Sequence, residues 1–533
     1  MKTTGLGLIL ITVSSLFGGP KMAKELDNAD PNAQVDVIIQ YKNIPTDAHH
    51  KKVRGKGGSH KEHLGAIKGG SYSVSGRHLA ALAADPDVAY ISPDRPVMGA
   101  LDYARQAVNA SIAQQYGWTG AGIGIAVIDS GVDGPDVAPR VVYNQTFIGG
   151  DAKDHYGHGT HVAGIIAGNG SLSNGKYKGI APGAKIVNLR VLDNYARGSE
   201  SNVIAAIQRA IALKNTYNIR VINLSLGRPT FENYALDPLC QAVEAAWRAG
   251  IVVVVSAGNE GRNNSRNTGG YGTISSPGND PYVITVGAMK TVSTAVRGDD
   301  LVASYSSKGP TLFDHVVKPD LVAPGNRVVS VKLNMDSPME SQYPANEVNG
   351  DYFILSGTSM ATPMVSGAVA LMLQKTPSLT PDQVKARLMK TASKAFPAVS
   401  VATNPATGQA YSSQYDIFAI GAGYLDVWAA LNNGDVSTSA ALSPTAVYDA
   451  VNRKVSVVFG SSVVWGDTSR WGLSVVWGDK VFLNGTSVVW GDSVVWGDST
   501  TSGFSVVWGD SVVWGDSTQT SAETTSIAIN GEK

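Results

Sequence analysis

Three histidines fall at intervals of three in the stretch DHYGHGTHVAG, as His155, His158 and His161. Histidine can bind a metal ion, act as a general base or lie buried in a helix. A helical metal site needs its ligands on one face, but steps of three and six residues carry the third histidine about 240° around a helix. Gly157 and Gly159 also place the start of the helix at His158 or later. This spacing disfavours a metal site and leaves a catalytic base or a buried histidine.

A catalytic histidine needs an acid that orients it and a nucleophile that it activates. Asp129 ends the apolar run GIAVID, where a carboxylate at the end of a buried strand is costly unless it is paired. Ser359 lies where the small residues of SGTSMATP lead into an apolar helix, so its hydroxyl and its N–H can face a developing anion. Each also has a plainer interpretation: Asp129 as a cap or turn former, and Ser359 as an N-cap.

The residues from 101 to 435 supply the elements that must position these side chains. Strand-like apolar runs alternate there with helical patterns, in the order GIAVID, AKIVNLRVL, NVIAAIQRAIAL, RVINLSL, LCQAVEAAWRAG, IVVVVSAG and YVITVGA. This alternation predicts an α/β fold with a mostly parallel central sheet and helices on both faces. Such sheets place their sites at the carboxyl ends of the strands, which is where the unusual residues fall.

Two segments precede this region. Residues 1–22 join one lysine to an apolar run of about thirteen residues, which is typical of a signal peptide and too short for a membrane span. The cleavage box is poor, so a mistaken start codon stays an alternative. Residues 23–100 contain VDVIIQY, a basic histidine-rich stretch and a helix followed by a strand, which together predict a small α+β unit.

Residues 436–533 form a C-terminal extension of different composition. The hexapeptide SVVWGD occurs six times, and seven of the ten tryptophans lie there. Val-Val-Trp favours a strand and Gly-Asp a turn, so we expect a β-rich extension of short stacked units. Binding of carbohydrate, a surface or calcium by these repeats stays open.

Charge and cysteine content exclude some classes of protein. Lys and Arg together number 43, as do Asp and Glu, so no net charge favours nucleic-acid binding. The single cysteine, Cys240, rules out an intramolecular disulfide and multi-cysteine zinc sites. Because it lies in the apolar run PLCQAVEAAW, we expect it to be packed in the core.

Seven ordered motifs resemble the subtilisin-like serine proteases, the subtilases. They are AVIDSGVDG, GHGTHVAG, VINLSLG, SAGNEG, KPDLVAPG, GTSMATP and GAGYLDVWAAL. The order Asp, His, Ser is itself that of subtilisin. The resemblance implies that Ser359 is the nucleophile, that His158 takes its proton as general base, and that Asp129 fixes the His158 tautomer. Asn259 is then the oxyanion donor, together with the backbone N–H of Ser359.

The resemblance also implies a substrate-binding edge that pairs with the backbone of an extended peptide. Its residues are Ser225, Leu226 and Gly227, with Ser256, Ala257 and Gly258 opposite. Backbone pairing gives affinity with little demand on sequence, so we expect broad specificity.

By the same resemblance, residues 23–100 are an inhibitory propeptide with a ferredoxin-like α+β fold, cut near Ala100. Five of the nine histidines lie in it, so pH-dependent release is a hypothesis, with a solvated loop as the alternative. Family members often bind calcium in surface loops. The loop GNGSLSNGKYKG has few acids, so a structural calcium ion stays open, and the metal ligands are unknown.

We therefore expect a secreted, broad-specificity serine endopeptidase that is made as a self-processed precursor. Its substrates are proteins or peptides, and the propeptide is an intramolecular inhibitor. We expect a monomer with no cofactor required for the chemistry, no nucleic-acid partner and no membrane span. The alternative is a surface- or polymer-binding protein in which the tryptophan-rich repeats are the main functional part and proteolysis mainly matures it.

Overall fold

The computed structural model describes residues 21–23, 26–27, 29–94, 103–333, 337–403, 408–449, 454–458 and 531–532. The chain divides into two compact units, residues 1–97 with 115–117, and residues 98–114 with 118–533. Residues 1–20 of the signal-like segment, the expected cut near Ala100 and the SVVWGD repeats lie outside the described residues.

The N-terminal unit is a four-stranded antiparallel sheet with two helices. Its elements are β1 (Gln34–Tyr41), α1 (Asp47–Gly55), β2 (Ser59–Leu64), β3 (Gly69–Ser75), α2 (Leu79–Ala83) and β4 (Val88–Pro93). The strands lie in the order β2–β3–β1–β4. This β-α-β-β-α-β topology is the ferredoxin-like arrangement. Alternate residues of β1 are buried, as expected of a strand with one face on a core.

Three of the histidines of the N-terminal unit lie together. His50 on α1 is buried, and its Nδ1 lies 2.9 Å from the hydroxyl oxygen of Tyr72. The ring of His60 stacks on that of His50 at 3.9 Å, and His63 lies edge-on at 5.8 Å. Burial lowers the pKa of His50, and the neighbouring His60 and His63 lower it further. The solvated-loop interpretation is therefore wrong for His50.

The larger unit is built on an eight-stranded sheet. Seven of its strands lie in the order β11–β10–β9–β8–β5–β7–β6, and β12 also pairs with β10. Only β11 is antiparallel to its neighbour, so the prediction of a mostly parallel sheet is confirmed. The strands are β5 (Gly124–Asp129), β6 (Val141–Thr146), β7 (Lys185–Arg190), β8 (Ile219–Leu224), β9 (Val252–Ser256), β10 (Ile284–Lys290), β11 (Leu301–Val302) and β12 (Leu321–Pro324).

Further strands of this unit form small antiparallel sheets. They are β13 (Val328–Val331), β14 (Glu347–Val348) and β15 (Tyr352–Leu355) in one sheet, β16 (Val399–Thr403) with β17 (Ala410–Gln414), and β18 (Thr445–Asp449) with β19 (Lys454–Val458).

The helices described in the larger unit are α3 (Tyr103–Ala107), α4 (Ala110–Gln115), α5 (His158–Ala167), α6 (Glu200–Tyr217), α7 (Pro238–Arg248), α8 (Pro338–Gln342), α9 (Thr358–Lys375), α10 (Pro381–Thr391), α11 (Ile417–Ile420) and α12 (Val427–Asn432). Of these, α5, α6, α7, α9 and α10 pack against strands of the central sheet. Every residue of β5 and β9 is buried. Because successive side chains of a strand point to opposite faces, both faces of the sheet are covered at these strands.

Cys240 lies on α7 and is fully buried, so the prediction of a core cysteine is confirmed. Its Sγ lies 3.3 Å from Oδ1 of Asn279. Burial raises the pKa of the thiol, which therefore stays protonated and unreactive.

We predict that the N-terminal unit loses stability as the pH falls below about 6.5, the ordinary histidine pKa. The unfolded chain then protonates a His50 that the folded unit holds neutral, while Asp47 opposes this effect and Arg54 adds to it. Amide hydrogen exchange of β1 and β3 in the full chain, corrected for intrinsic rates, should accelerate between pH 7.5 and about pH 5.

His50→Gln should flatten this pH dependence, because glutamine does not titrate. His49→Gln is the matched control, since glutamine at this position can keep the hydrogen bond to the backbone N–H of Thr46 that caps α1. Equal pH dependence in wild type and His50→Gln would contradict the assignment.

Candidate active site

Asp129 is the last residue of β5, and His158 is the first residue of α5. The Nδ1 of His158 lies 2.8 Å from Oδ1 of Asp129, which also accepts a hydrogen bond from the backbone N–H of Ser130 at 2.7 Å. Asp129 is fully buried, whereas 18% of the His158 side chain is exposed. The acid of this pair is thus buried, and its hydrogen bond fixes Nδ1 of the imidazole. The other ring nitrogen, Nε2, is left to exchange a proton.

The surroundings of His158 favour its protonated form. Burial by itself lowers the pKa of the imidazole, but the charge of Asp129 and its hydrogen bond raise it, and Asp154 raises it further. The net pKa lies above the ordinary value. A proton taken up at Nε2 is therefore stabilised by the carboxylate at the other side of the ring.

Asp154 holds the start of α5 in place, and the sequence analysis missed it. Its Oδ1 accepts hydrogen bonds from the N–H groups of Tyr156 and Gly157 and from the hydroxyl of Ser130, while Oδ2 accepts from the N–H of Thr160. The signal was present, because an acid just before a helix satisfies the unpaired N–H groups of its first turn. Asp154 thereby orients the turn that carries His158.

The glycines beside His158 serve internal packing. A Cβ on Gly159 would lie 2.2 Å from the carbonyl oxygen of Gly131 and 3.1 Å from Cβ of Asp129. Gly157 is the N-cap of α5 with φ of 107°, where L side chains are strained, and a Cβ there would meet Met339. Gly159 is therefore needed for α5 to approach the end of β5.

The other two histidines of the stretch have separate environments. His161 is buried, and its Nε2 lies 3.0 Å from the carbonyl oxygen of Phe353 on β15 and 3.2 Å from that of Val328 on β13. Burial lowers its pKa to about 3, so it stays neutral. The Nε2 of His155 lies 2.9 Å from Oδ1 of the exposed Asp151. The partners of His161 are thus backbone carbonyl groups of distant strands, and α5 packs against one of them, β13.

Ser359 is the second residue of α9, whose N-cap is Gly357. The N-cap interpretation of Ser359 is therefore wrong. Its Oγ donates to the carbonyl oxygen of Ser225 at 3.1 Å, and the Oγ of Ser225 donates back to the carbonyl oxygen of Ser359 at 2.8 Å. Pro363, four residues on, has no N–H to give that carbonyl its helical bond. The proline thus frees the carbonyl of Ser359 for Ser225.

Asn259 lies beside the turn that leads into α9. Its Oδ1 accepts hydrogen bonds from the N–H and the hydroxyl of Thr358, at 2.9 and 3.1 Å. These bonds fix the amide, so Nδ2 is the group left to donate. A Cβ on Gly357, where φ is 131°, would lie 3.2 Å from this Nδ2. Glycine therefore keeps the space in front of the amide open.

The expected substrate-binding edge lies at the ends of two strands: residues 225–227 follow β8, Ser256 is the last residue of β9, and residues 257–258 follow it. Ser225 and Ala257 are buried, whereas Gly227 is exposed. The hydroxyl of Ser256 donates to the carbonyl oxygen of Leu226 at 3.4 Å, which links the two segments. Among the described residues, neither the N–H nor the C=O of Gly227 has a partner. A backbone edge with these free groups can accept an added extended chain.

The loop considered for calcium binding is held by protein contacts. Asp136 receives hydrogen bonds at Oδ1 from the hydroxyl of Ser171 and the N–H of Leu172, and at Oδ2 from the hydroxyl of Tyr352. Calcium sites use several oxygen ligands, usually with more than one carboxylate. Within the described ranges no group of three or more His, Cys, Asp or Glu residues is placed to hold a metal ion. The carboxylate of Asp136, which lies against this loop, is thus already hydrogen-bonded by protein groups.

Comparison with known proteins decides the family. The subtilase family model of peptidases matches residues 120–423, more than half of the chain. The chain is a subtilase. It is 38% identical over 302 residues to the serine protease AprX of Bacillus subtilis, a match over 55% of this chain and 66% of AprX, just under two thirds. Subtilisin E of the same species is 34% identical over 344 residues, covering 63% of the chain and 78% of subtilisin E. An extracellular serine proteinase of a Thermus species is 35% identical over 343 residues, with coverages of 62% and 72%.

Membership of this family makes the chain a serine-type endopeptidase. The alternative of a binding protein that merely contains a protease is not favoured, because the family match includes Asp129, His158, Asn259 and Ser359. In the part of the chain that the structure describes, no helix combines the length and apolarity needed to cross a membrane.

We predict that Asp154→Asn lowers the pKa of His158, because it removes a negative charge that favours the imidazolium. Fewer acceptor bonds at the start of α5 should also cost about 1–3 kcal/mol of stability. Titration of histidine-labelled protein by NMR measures the pKa directly. Asp151→Asn is the matched control, since it removes the exposed partner of His155 and should leave His158 unchanged. An unshifted His158 in Asp154→Asn would refute this role.

Proposed function

We propose that the chain hydrolyses peptide bonds through an acyl-enzyme on Ser359, with His158 as general base and Asp129 as its partner. The observation that carries the proposal is the 2.8 Å hydrogen bond between the buried Asp129 and Nδ1 of His158, within a subtilase fold. This bond selects the tautomer whose free nitrogen, Nε2, can take a proton from a hydroxyl.

The first step forms a bond between Oγ of Ser359 and the carbonyl carbon of the substrate. The hydroxyl proton passes to Nε2 of His158, and the imidazolium is stabilised by the carboxylate of Asp129. His158 then gives the proton to the departing amine. Water repeats the sequence to release the acid. For this, the hydroxyl of Ser359 must leave its hydrogen bond to the carbonyl of Ser225 and donate to Nε2.

The negative oxygen formed during attack needs donors that are already in place. Nδ2 of Asn259 is one candidate, because its Oδ1 is held by Thr358. The backbone N–H of Ser359 is the other, since the first N–H groups of a helix have no partner within it and carry partial positive charge. Both donors lie on fixed elements, so little reorganisation accompanies the reaction.

Substrate is proposed to lie as an extended chain along Ser225–Gly227, with residues 256–258 opposite. The N–H and C=O of the exposed Gly227, which have no partner in the part of the chain that the structure describes, support this placement, because they can pair with any backbone. Recognition through backbone groups implies broad specificity. No cofactor is required for this chemistry, as in the subtilisins that the chain resembles.

The enzyme is further proposed to be secreted, as a monomer, from a precursor whose N-terminal unit is an inhibitory propeptide. The signal-like residues 1–22 support secretion. The compact N-terminal unit lies outside the family match, which begins at residue 120, and this supports a separate role for it. By this proposal the precursor cuts itself near Ala100.

Ser359→Ala should abolish cleavage of peptide substrates and leave the precursor uncut, because it removes the hydroxyl that is proposed to form the acyl-enzyme. Mass spectrometry of purified wild-type and variant protein measures the cut directly, and a chromogenic peptide measures turnover. The expected residual rate is at least about 10³-fold below that of wild type.

Ser366→Ala is the matched control for this variant. Ser366 lies on the same helix, α9, but its hydroxyl donates to Oδ1 of Asn223 in the core. This control should process itself and cleave peptide. A Ser359→Ala protein that still cut itself near Ala100 would overturn the assignment of the nucleophile.

Asn259→Ala should lower kcat while leaving KM nearly unchanged, because the amide is proposed to act only when the oxyanion forms. The expected size, a loss of about 10²–10³ in kcat, is that known for the corresponding amide of subtilisin. Steady-state kinetics on one peptide substrate tests it. Asn263→Ala, in the same loop, is the control and should keep the wild-type kcat. A KM effect without a kcat effect would show that Asn259 binds substrate only.

A further inference from the structure

Glu532 is buried in the larger unit, more than 200 residues along the chain from the side chains that it contacts. Its Oε1 lies 2.9 Å from Nη2 of Arg262 and accepts hydrogen bonds from the N–H of Ser304, at 2.9 Å, and from the hydroxyl of Ser304. The guanidinium of Arg262 also donates through Nε to the Ser304 hydroxyl at 2.7 Å and stacks over Tyr411. The donors around the carboxylate are therefore themselves held in place, by the hydrogen bond between Arg262 and Ser304 and by the stacking on Tyr411.

The backbone of Glu532 is recognised as well. Its N–H donates to Oδ1 of Asn326 at 2.7 Å, and its C=O accepts from Nδ2 of the same side chain at 2.8 Å. An asparagine amide thus pairs with this residue as a neighbouring strand would. Both the side chain and the backbone of Glu532 form hydrogen bonds here, so the site recognises a glutamate that is part of a peptide chain.

Gly531 makes the site more selective still. Its φ is +68°, a conformation that L side chains rarely adopt, and a Cβ there would lie 2.3 Å from Oγ of Ser356. The hydroxyl of Ser356 is fixed, because it accepts a hydrogen bond from the N–H of Arg327 at 2.9 Å. The position therefore demands glycine.

We propose that Arg262, Ser304 and Asn326 form a docking site whose occupant is the Gly531–Glu532 dipeptide of the same chain. These three residues lie on the loops that follow β9, β11 and β12. Hydrogen bonds to one buried glutamate therefore link three loops. A buried carboxylate is stable only when donors of this kind surround it. The guanidinium of Arg262 matches the carboxylate in charge, and the glycine fits the wall at Ser356.

The start of the extension is attached to the same unit. The hydroxyl of Ser443 donates to Oδ1 of Asp320 at 2.5 Å and accepts from Nζ of Lys385 at 2.8 Å. Thr445 forms a bridge with Val316. The sequence between these attachments and Gly531, which includes the SVVWGD repeats, is thus fastened to the larger unit at both ends. A single cut between the attachments would leave the Gly531–Glu532 segment bound.

A peptide supplied separately tests the docking site. The protein is a chain ending at Asn530 that also carries Ser359→Ala, so that the peptide is not cleaved, and mass spectrometry of the recovered peptide verifies this. Fluorescein-labelled SIAINGEK, residues 526–533, should bind saturably. The peptide that carries Glu532→Gln should bind about tenfold more weakly because it loses the ion pair with Arg262. The peptide that carries Gly531→Ala should lose at least as much affinity.

Two matched controls test whether the labelled peptide binds at the site that Glu532 occupies. The chain that keeps residues 531–533 should not bind the labelled peptide, since its own Glu532 fills the site at high effective concentration. Arg262→Gln in the shortened chain should weaken binding about tenfold, whereas Arg209→Gln, on the exposed face of α6, should leave it unchanged. Equal binding of the Glu and Gln peptides, or equal binding to the two chains, would overturn the proposal.

The full chain provides a second measurement in case the shortened chain does not fold. Glu532→Gln should accelerate amide hydrogen exchange at residues 303–305 and 325–327, where the loops lose their common partner. Unchanged exchange at these residues would overturn the proposal. The exchange experiment does not depend on which residue is the nucleophile, and in the binding experiment mass spectrometry shows whether the peptide stays intact, so the docking site and the proposed catalytic mechanism fail separately.

Discussion

The larger unit is organised around a carboxylate buried at the carboxyl end of β5, an interior strand of its main sheet. Asp129 is stable there only because it accepts from the imidazole of His158 and from a backbone N–H. That requirement sets how closely α5 must approach β5, and Gly159 is the residue that permits the approach. It also gives the imidazole a raised pKa and a fixed tautomer. The need to pair one buried carboxylate thus determines both how α5 packs against β5 and which imidazole nitrogen is available for the proposed chemistry.

A second set of hydrogen bonds keeps Asp129 and His158 in position relative to each other. Asp154 accepts hydrogen bonds from the N–H groups of Gly157, the N-cap of α5, and Thr160, and from the hydroxyl of Ser130, so the helix cannot turn about its axis without breaking several bonds. Across the sheet edge, Ser225 and Ser359 exchange hydrogen bonds, and Pro363 leaves the necessary carbonyl unpaired within α9. His158 and Ser359 are therefore each positioned by hydrogen bonds beyond those used in the proposed proton transfer.

The sequence predicted most of this arrangement because its signals are local. Apolar strands that end in Asp129 or Ser256, and a helix that begins at His158, follow from hydrophobic runs and glycine positions. The partners of His161 could not be predicted, since the strands that carry Val328 and Phe353 reach it only through tertiary packing. Asp154 was predictable in principle, as an acid before a helix, but capping alone does not indicate that the helix carries a catalytic group.

The site around Glu532 lies beyond sequence reasoning for a different reason. Its donors, Arg262, Ser304 and Asn326, are spread over 65 positions and belong to loops with no shared pattern, and their partner is 206 residues further on. What brings them together is tertiary structure: the loops after β9 and β12 leave the carboxyl ends of parallel strands, and the chain after the antiparallel β11 runs back beside β10. Asp129 likewise lies at the carboxyl end of a parallel strand, β5, where it meets His158. Loops that leave the sheet thus gather distant polar groups at both places, for the proposed chemistry and for the proposed docking site.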